Sequence, residues 1–265
     1  MLYLVFTFIL GTVVGSFLNV CIHRLPRGES IIHPVSHCPH CGHKLGALEL
    51  IPVIGYFMVG GKCKQCKKPI SFRYPLVEFL TGALMVAITL RFPPLSFPLE
   101  FFFYLIFSAL MLIVFFIDFE QHVIPDSVSL SGIFLGLIFN FTRGMFWVEK
   151  KSFNPFLSSV FGMLLGYAFF YVIAKLGRLC FKKEVLGEGD LFLAALLGAY
   201  LGWRGVLLSI FLAYLLAGGT ALVLLLLRKI KMGEYVPFGP ALVAGGFLTL
   251  FFEKQIVDLY LRIFL

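Results

Sequence analysis

The strongest constraint on this chain is repeated along it: long apolar stretches with few or no charged side chains, separated by short polar segments. Residues 1–22 carry no charge, and about 20 apolar residues are enough to cross a bilayer. Seven further apolar runs follow, at roughly 74–90, 101–117, 127–142, 152–174, 188–203, 205–227 and 236–252. In lipid, every backbone N–H and C=O must be satisfied within the segment, so runs of this kind fold as helices. The expected fold is an all-α polytopic membrane protein of about eight transmembrane helices. A charged content of 14% and a mean hydropathy of +0.96 exclude an ordinary soluble domain.

A net charge of +8 invites a nucleic-acid reading. The Lys and Arg residues fall in a few short loops, as membrane topology demands, so no nucleic-acid partner is expected. The first run lacks the basic flank and small-residue cleavage site of a secretory signal. Its positive flank, Arg24 and Arg27, comes after it. This predicts an uncleaved helix with its N-terminus outside and residue 23 onward in the cytoplasm. Alternation then puts 118–126, 175–190 and 228–235 inside, with Lys175, Arg178, Lys182, Lys183, Arg228, Lys229 and Lys231. Arg143, Lys150 and Lys151 fall outside, a mild violation of the positive-inside rule.

The sizeable polar segment, 23–73, holds Cys38-Pro39-His40-Cys41 and Cys63-Lys64-Gln65-Cys66. Two thiolate pairs at this spacing each wrap one side of a tetrahedral ion, as in zinc ribbons. A redox dithiol explains two matched pairs less well. With Cys38, Cys41, Cys63 and Cys66 all as ligands, the Zn2+ is closed to water and structural. Gly42 and Gly60-Gly61 supply turns beside the knuckles. His37, His40 and His43 read as surface residues, and Cys21 and Cys180 as packing. The expected division is a first transmembrane helix at 1–22, a cytoplasmic zinc-ribbon-like insertion at 23–73, and a membrane domain of about seven helices at 74–265.

Ionisable groups beside lipid-crossing segments are expensive and mark functional sites. Asp118 follows 17 uncharged residues, and Asp190 closes Gly187-Glu188-Gly189-Asp190. The topology places both on the cytoplasmic face although they stand 72 positions apart. Two carboxylates held together share a proton, and such a pair activates water and protonates a leaving amide nitrogen. A GxGD pattern alone recurs by chance; its weight comes from its position. Glu188 reads as solvated or facing substrate. Asp126 reads as a helix cap ahead of Ser127 or as part of the site. Glu78 interrupts an apolar run and is structural or substrate-binding. Pro237-Phe238-Gly239-Pro240 breaks the chain before the last run, or shapes the mouth of the site. The runner-up function is an ion- or proton-coupled transporter with a structural zinc ribbon.

Five stretches carry a family resemblance: Gly15–Val20 with Arg24–Ser30; the paired CxxC motifs; Ile70–Glu78; Asp118 to Asp126; and Gly187–Asp190 with Pro237–Gly239-Pro240. Together they resemble the bacterial type IV prepilin peptidases, which join leader peptidase and N-methyltransferase activities. The resemblance implies an aspartic membrane protease of the GxGD type in the inner membrane. It implies cleavage of the basic leader of prepilins and pseudopilins after a glycine, at the cytoplasmic face. Asp118 and Asp190 match the catalytic pair, and the four cysteines match the zinc domain. S-adenosylmethionine is the implied methyl donor, with no glycine-rich fingerprint to place its site. The chain departs from the family in a longer stretch between the aspartates, around Arg143–Pro155.

Overall fold

The computed structural model describes residues 2–145, 154–181, 187–231 and 236–264. Lys150, Lys151, Lys182 and Lys183 of the topology argument lie outside the described residues, as do the side chain of Cys180 and most of the Arg143–Pro155 stretch. The described residues form helices α1 (Leu2–Arg24), α2 (Ile54–Met58), α3 (Arg73–Arg91), α4 (Pro98–Gln121), α5 (Asp126–Met145), α6 (Pro155–Phe181), α7 (Glu188–Leu226) and α8 (Gly239–Phe264). The chain clusters into two compact units, Met1–Ile113 and Val114–Leu265, with α4 continuous through the division.

In the N-terminal unit α1 packs on α3. Lipid supplies no hydrophobic drive between helices, so their association relies on close backbone approach at small residues. A Cβ at Gly11 would lie 2.7 Å from the Gly82 Cα, and one at Gly15 2.6 Å from the Glu78 Cα. A 3₁₀ turn at Leu25–Arg27 and left-handed Gly28 (φ 67°) end this first helix. Buried Arg24 then organises the polar segment by donating to the carbonyls of Ser30 (2.9 Å) and Pro34 (2.6 Å).

In the C-terminal unit α5, α6 and α8 all pack on α7. At 39 residues α7 would reach about 58 Å if straight, nearly twice the ~30 Å hydrocarbon core. It is not straight. Gly202 breaks it at φ 73°, ψ −178°, a region that only glycine enters readily. The chain doubles back there. A Cβ on Gly166 of α6 would lie 2.6 Å from the Ala194 carbonyl oxygen and 3.1 Å from a Val206 methyl. Those two residues would stand about 18 Å apart along one continuous helix. Gly162 of α6 approaches the same helix as closely: a Cβ on it would meet the Gly202 carbonyl carbon at 2.5 Å and the Gly198 oxygen at 2.7 Å.

Breaking a helix in lipid frees carbonyls that must find donors. Asn140 of α5 supplies them, donating to the carbonyls of Ala199 (2.8 Å) and Tyr200 (3.1 Å), while the Ser159 hydroxyl of α6 donates to Ala199 at 2.5 Å. Among the described residues, α1, α3, α4, α5, α6 and α7 are long and apolar enough to cross a membrane. With α7 crossing twice and the apolar part of α8, 239–252, this architecture agrees with the expected all-α fold of about eight spans.

Candidate active site and metal centre

The candidate metal centre is built from two matching turns. In the first, the Cys38 N–H donates to the His43 carbonyl (2.8 Å) and the Gly42 N–H to the Cys38 carbonyl (2.9 Å). In the second, the Cys63 N–H donates to Lys68 (2.9 Å) and the Lys67 N–H to Cys63 (3.0 Å). The residue four places after the leading cysteine is left-handed in both, at φ 72° for Gly42 and φ 60° for Lys67. Sequence reasoning found the glycine and missed the lysine. The four Sγ atoms all lie within 4.8 Å of one another, with Cys38 and Cys66 3.8 Å apart and Cys41 and Cys63 3.9 Å apart. A Zn–S bond of about 2.3 Å gives a tetrahedral edge of about 3.8 Å, so the donor set fits zinc.

Electrostatics point the same way. The His40 backbone amide favours the Cys38 thiolate and brings that thiol down to about 7. At Cys41 the His43 amide acts in the same direction, but desolvation and the neighbouring thiols push the group up to about 12. The two values disagree because crowded thiols resist ionising together. A divalent cation among them removes that conflict by neutralising the thiolates.

The second centre lies in the C-terminal unit. Asp118 sits in the last turn of α4 and Asp190 in the first turn of α7, only 3% and 5% exposed. Helix α7 starts at Gly187, extended at φ −72°, ψ 147°, whose carbonyl accepts the Asp190 N–H at 3.2 Å. The aspartates are near enough for their charges to act on one another, so packing has closed a gap of 72 positions in sequence. Helix α8 contributes its N-terminus: the Gly239 N–H is directed at the Asp118 carboxylate, where the positive end of a helix stabilises an anion. A Cβ at Gly239 would collide with Asp118 Oδ2. Ile124 fills the space beside them, 2.7 Å from a Cβ on Gly189 and 3.3 Å from one on Gly239.

Despite the nearby amide, Asp118 Oδ2 is buried without a hydrogen bond of standard geometry among the described residues. A buried carboxylate oxygen left open is costly and is available to a water or a substrate proton. Phe170, Tyr214 and Phe238 stack into an aromatic wall, with Tyr214 5.1 Å from Phe238 and 6.4 Å from Phe170 between ring centroids. Tyr214 is close enough to feel the Asp190 charge. Ile124 lies in the loop between α4 and α5, within the stretch that carries the resemblance, but nothing in the sequence pattern distinguished Tyr214 from ordinary membrane-helix residues.

The remaining expected site residues take varied places. Gly187 and Glu188 are exposed at the start of α7, and Gly189 packs on Ile124. Asp126 is the exposed first residue of α5. Glu78 is buried in α3 of the N-terminal unit, where its carboxylate accepts the Val53 N–H at 2.6 Å.

Two family models match the chain: the bacterial peptidase A24 N-terminal domain over residues 9–92, and the type IV leader peptidase family over residues 105–222. Curated relatives named prepilin leader peptidase/N-methyltransferase align over most of the chain. The Myxococcus xanthus protein is 38% identical over 232 residues, covering 88% of this chain and 66% of the relative. The Burkholderia pseudomallei protein is 35% identical over 274 residues (94% and 85%), and the Aeromonas hydrophila protein 33% over 288 residues (100% and 96%). No solved structure matches the chain.

Proposed function

This chain belongs to the type IV leader peptidase family, and from that premise we propose that it is a membrane aspartic endopeptidase that removes the leader of type IV prepilins and pseudopilins. The observation that carries the proposal is the meeting of two buried carboxylates, Asp118 and Asp190, from helix ends far apart in sequence. Within reach of each other's charge, two such carboxylates keep one proton between them. The charged carboxylate takes a proton from a water, which attacks the scissile carbonyl. The protonated partner gives its proton to the departing amide nitrogen as the tetrahedral intermediate collapses. The leader then leaves with a new carboxylate, and the mature chain with a new amine. Glycines at 187, 189 and 239 keep side chains away from the approach to the pair.

The first half of α7, residues 188–201, spans about 21 Å. That is short of the ~30 Å hydrocarbon core, so Asp190 sits at the membrane edge rather than in bulk water. Such a place suits a substrate whose apolar helix lies in the bilayer while its leader emerges. The positive charge at Arg228, Lys229 and Lys231 supports our assignment of this edge to the cytoplasmic side, in the inner membrane. Location at helix ends, rather than mid-span, speaks against a proton-relay transporter. Zn2+ held by Cys38, Cys41, Cys63 and Cys66 would be structural, since all four positions are filled by protein thiolates. The relatives' printed name carries a second activity, and we assign N-methylation of the new N-terminal amine to this chain too, with S-adenosylmethionine supplying the methyl group.

Mass spectrometry of a co-expressed prepilin tests both activities. Leader loss plus one methyl group with wild type, and neither with Asp190→Asn, is the expected result. Leader loss undiminished in Asp190→Asn would remove that residue from the mechanism, and leader loss without methylation would leave a peptidase alone.

A further inference from the structure

The buried acid of the N-terminal unit has a different task. Glu78 is 8% exposed in α3, inside a helix apolar enough to cross the membrane. On one side of it lies the α1–α3 contact, where Gly15 packs against the Glu78 Cα and Ser16 stands close enough to act on the carboxylate. One turn further along α1, Asn19 donates to the Tyr74 carbonyl at 3.0 Å and ties the same two helices together. From the other side comes the Val53 N–H, 2.6 Å from Oε2.

Val53 is held in an uncommon shape. It lies at φ 60°, ψ −58°, and the Ile54 N–H donates across it to the Pro52 carbonyl at 2.6 Å. This is a γ-turn of the positive-φ kind, which is rare and strained, and a β-branched residue is poorly suited to it. Strain of this sort persists only where the surroundings over-determine it. The turn consumes the Ile54 N–H and leaves the Val53 N–H facing outward, where a partly buried donor requires an acceptor. Glu78 is that acceptor.

The turn stands midway between the two cysteine knuckles. On one side Glu49 accepts the Gly46 N–H at 2.8 Å and lies 3.6 Å from His43 of the first knuckle. On the other side α2 begins directly, and its Tyr56 hydroxyl donates to the Ile70 carbonyl at 3.4 Å, just past the second knuckle. The conformation at Val53 therefore sets the direction in which the chain leaves one knuckle for the other.

We propose that Glu78 is a positioning residue: a carboxylate presented by a membrane-crossing helix that holds the 51–54 turn in its strained form and so fixes the path between the two halves of the metal centre. The proposal is independent of the peptidase reading and is tested without an activity assay. Hydrogen exchange of the peptide spanning 51–59, followed by mass spectrometry on the full chain in lipid nanodiscs, reads the turn directly. Glu78→Ala removes a charge-assisted bond and should speed exchange there about tenfold to a hundredfold. Glu78→Gln keeps one accepting oxygen and should speed it far less. Val53→Gly relaxes the strain, so adding Glu78→Ala to V53G should change exchange by no more than about threefold, a non-additive result. Equal exchange in wild type and Glu78→Ala overturns the proposal. So does the same fold-change in both backgrounds, which makes Glu78 an ordinary buried group. Should the single Glu78→Ala chain not fold, the comparison runs with Glu78→Met, which keeps the length of the side chain and carries no oxygen to accept the bond. An effect in wild type that vanishes in V53G supports the latch, and an equal effect in both defeats it.

Discussion

The two functional centres of this protein are specified over very different distances. All four proposed metal ligands fall between Cys38 and Cys66, and each knuckle closes through its own backbone bonds. The carboxylate pair instead depends on α4, α7 and α8 converging, with Ile124 and Gly239 filling the space around Asp118 and Asp190. A centre of the first kind needs its ligands and a few turn residues. A centre of the second kind needs every helix contact that sets the approach. Losing a ligand should therefore ruin the metal centre alone, whereas the carboxylate pair should be vulnerable both at the acids and at small residues that touch them.

The largest effect should separate the centres cleanly. Asp118→Asn or Asp190→Asn removes the shared proton and should lower leader removal by about 10³-fold or more, measured by prepilin mass spectrometry. Zinc content should stay at the wild-type value. If either variant also lost zinc, the centres would not be separately specified. The converse experiment is Cys38→Ser with Cys63→Ser. Structural zinc sites contribute on the order of 10 kcal/mol of binding free energy, so metal analysis should find stoichiometric zinc in wild type and almost none in the variant. The polar segment should become sensitive to proteolysis while leader removal persists. Wild-type protein without zinc would sink the metal reading outright.

Legibility in the sequence follows the same division. The cysteine pairs announced a tetrahedral site because ligand spacing is a local property, and the structure placed their sulfurs at the edge length of such a site. The eight apolar runs announced the helices because lipid leaves the backbone no alternative. The doubling back at Gly202 was legible only as two apolar runs with almost no connector between 203 and 205. The partners of the broken ends were not legible at all: Asn140 lies 59 residues from Ala199, and an asparagine in an apolar run looks the same whether it satisfies a distant carbonyl or not. For the same reason Asp118 and Asp190 could be singled out by their cost in lipid, but their meeting came from alternation of spans and from family resemblance. The strain at Val53 had no signal, because valine is the wrong residue for the conformation it adopts.

Two smaller effects sharpen the contrast. Gly239→Ala places a methyl group against Asp118 Oδ2; displacing a reacting group by about 1 Å costs about 10²-fold in rate. Leader removal should fall by that order while the melting temperature in detergent barely moves. Equal losses of rate and stability would make Gly239 a packing residue instead. Asn140→Ala should do the reverse. It withdraws donors from the Ala199 and Tyr200 carbonyls at the break that lets α7 cross twice, and Ser159 still serves only the first. Hydrogen bonds between membrane helices are modest, because chains unfolded in lipid also find partners, so the cost should be about 1–2 kcal/mol. Asn140→Asp should cost more, since an ionised carboxylate offers no donor and faces two carbonyl oxygens. A melting curve for Asn140→Ala that superimposes on wild type would mean that the break at Gly202 is held by glycine packing alone.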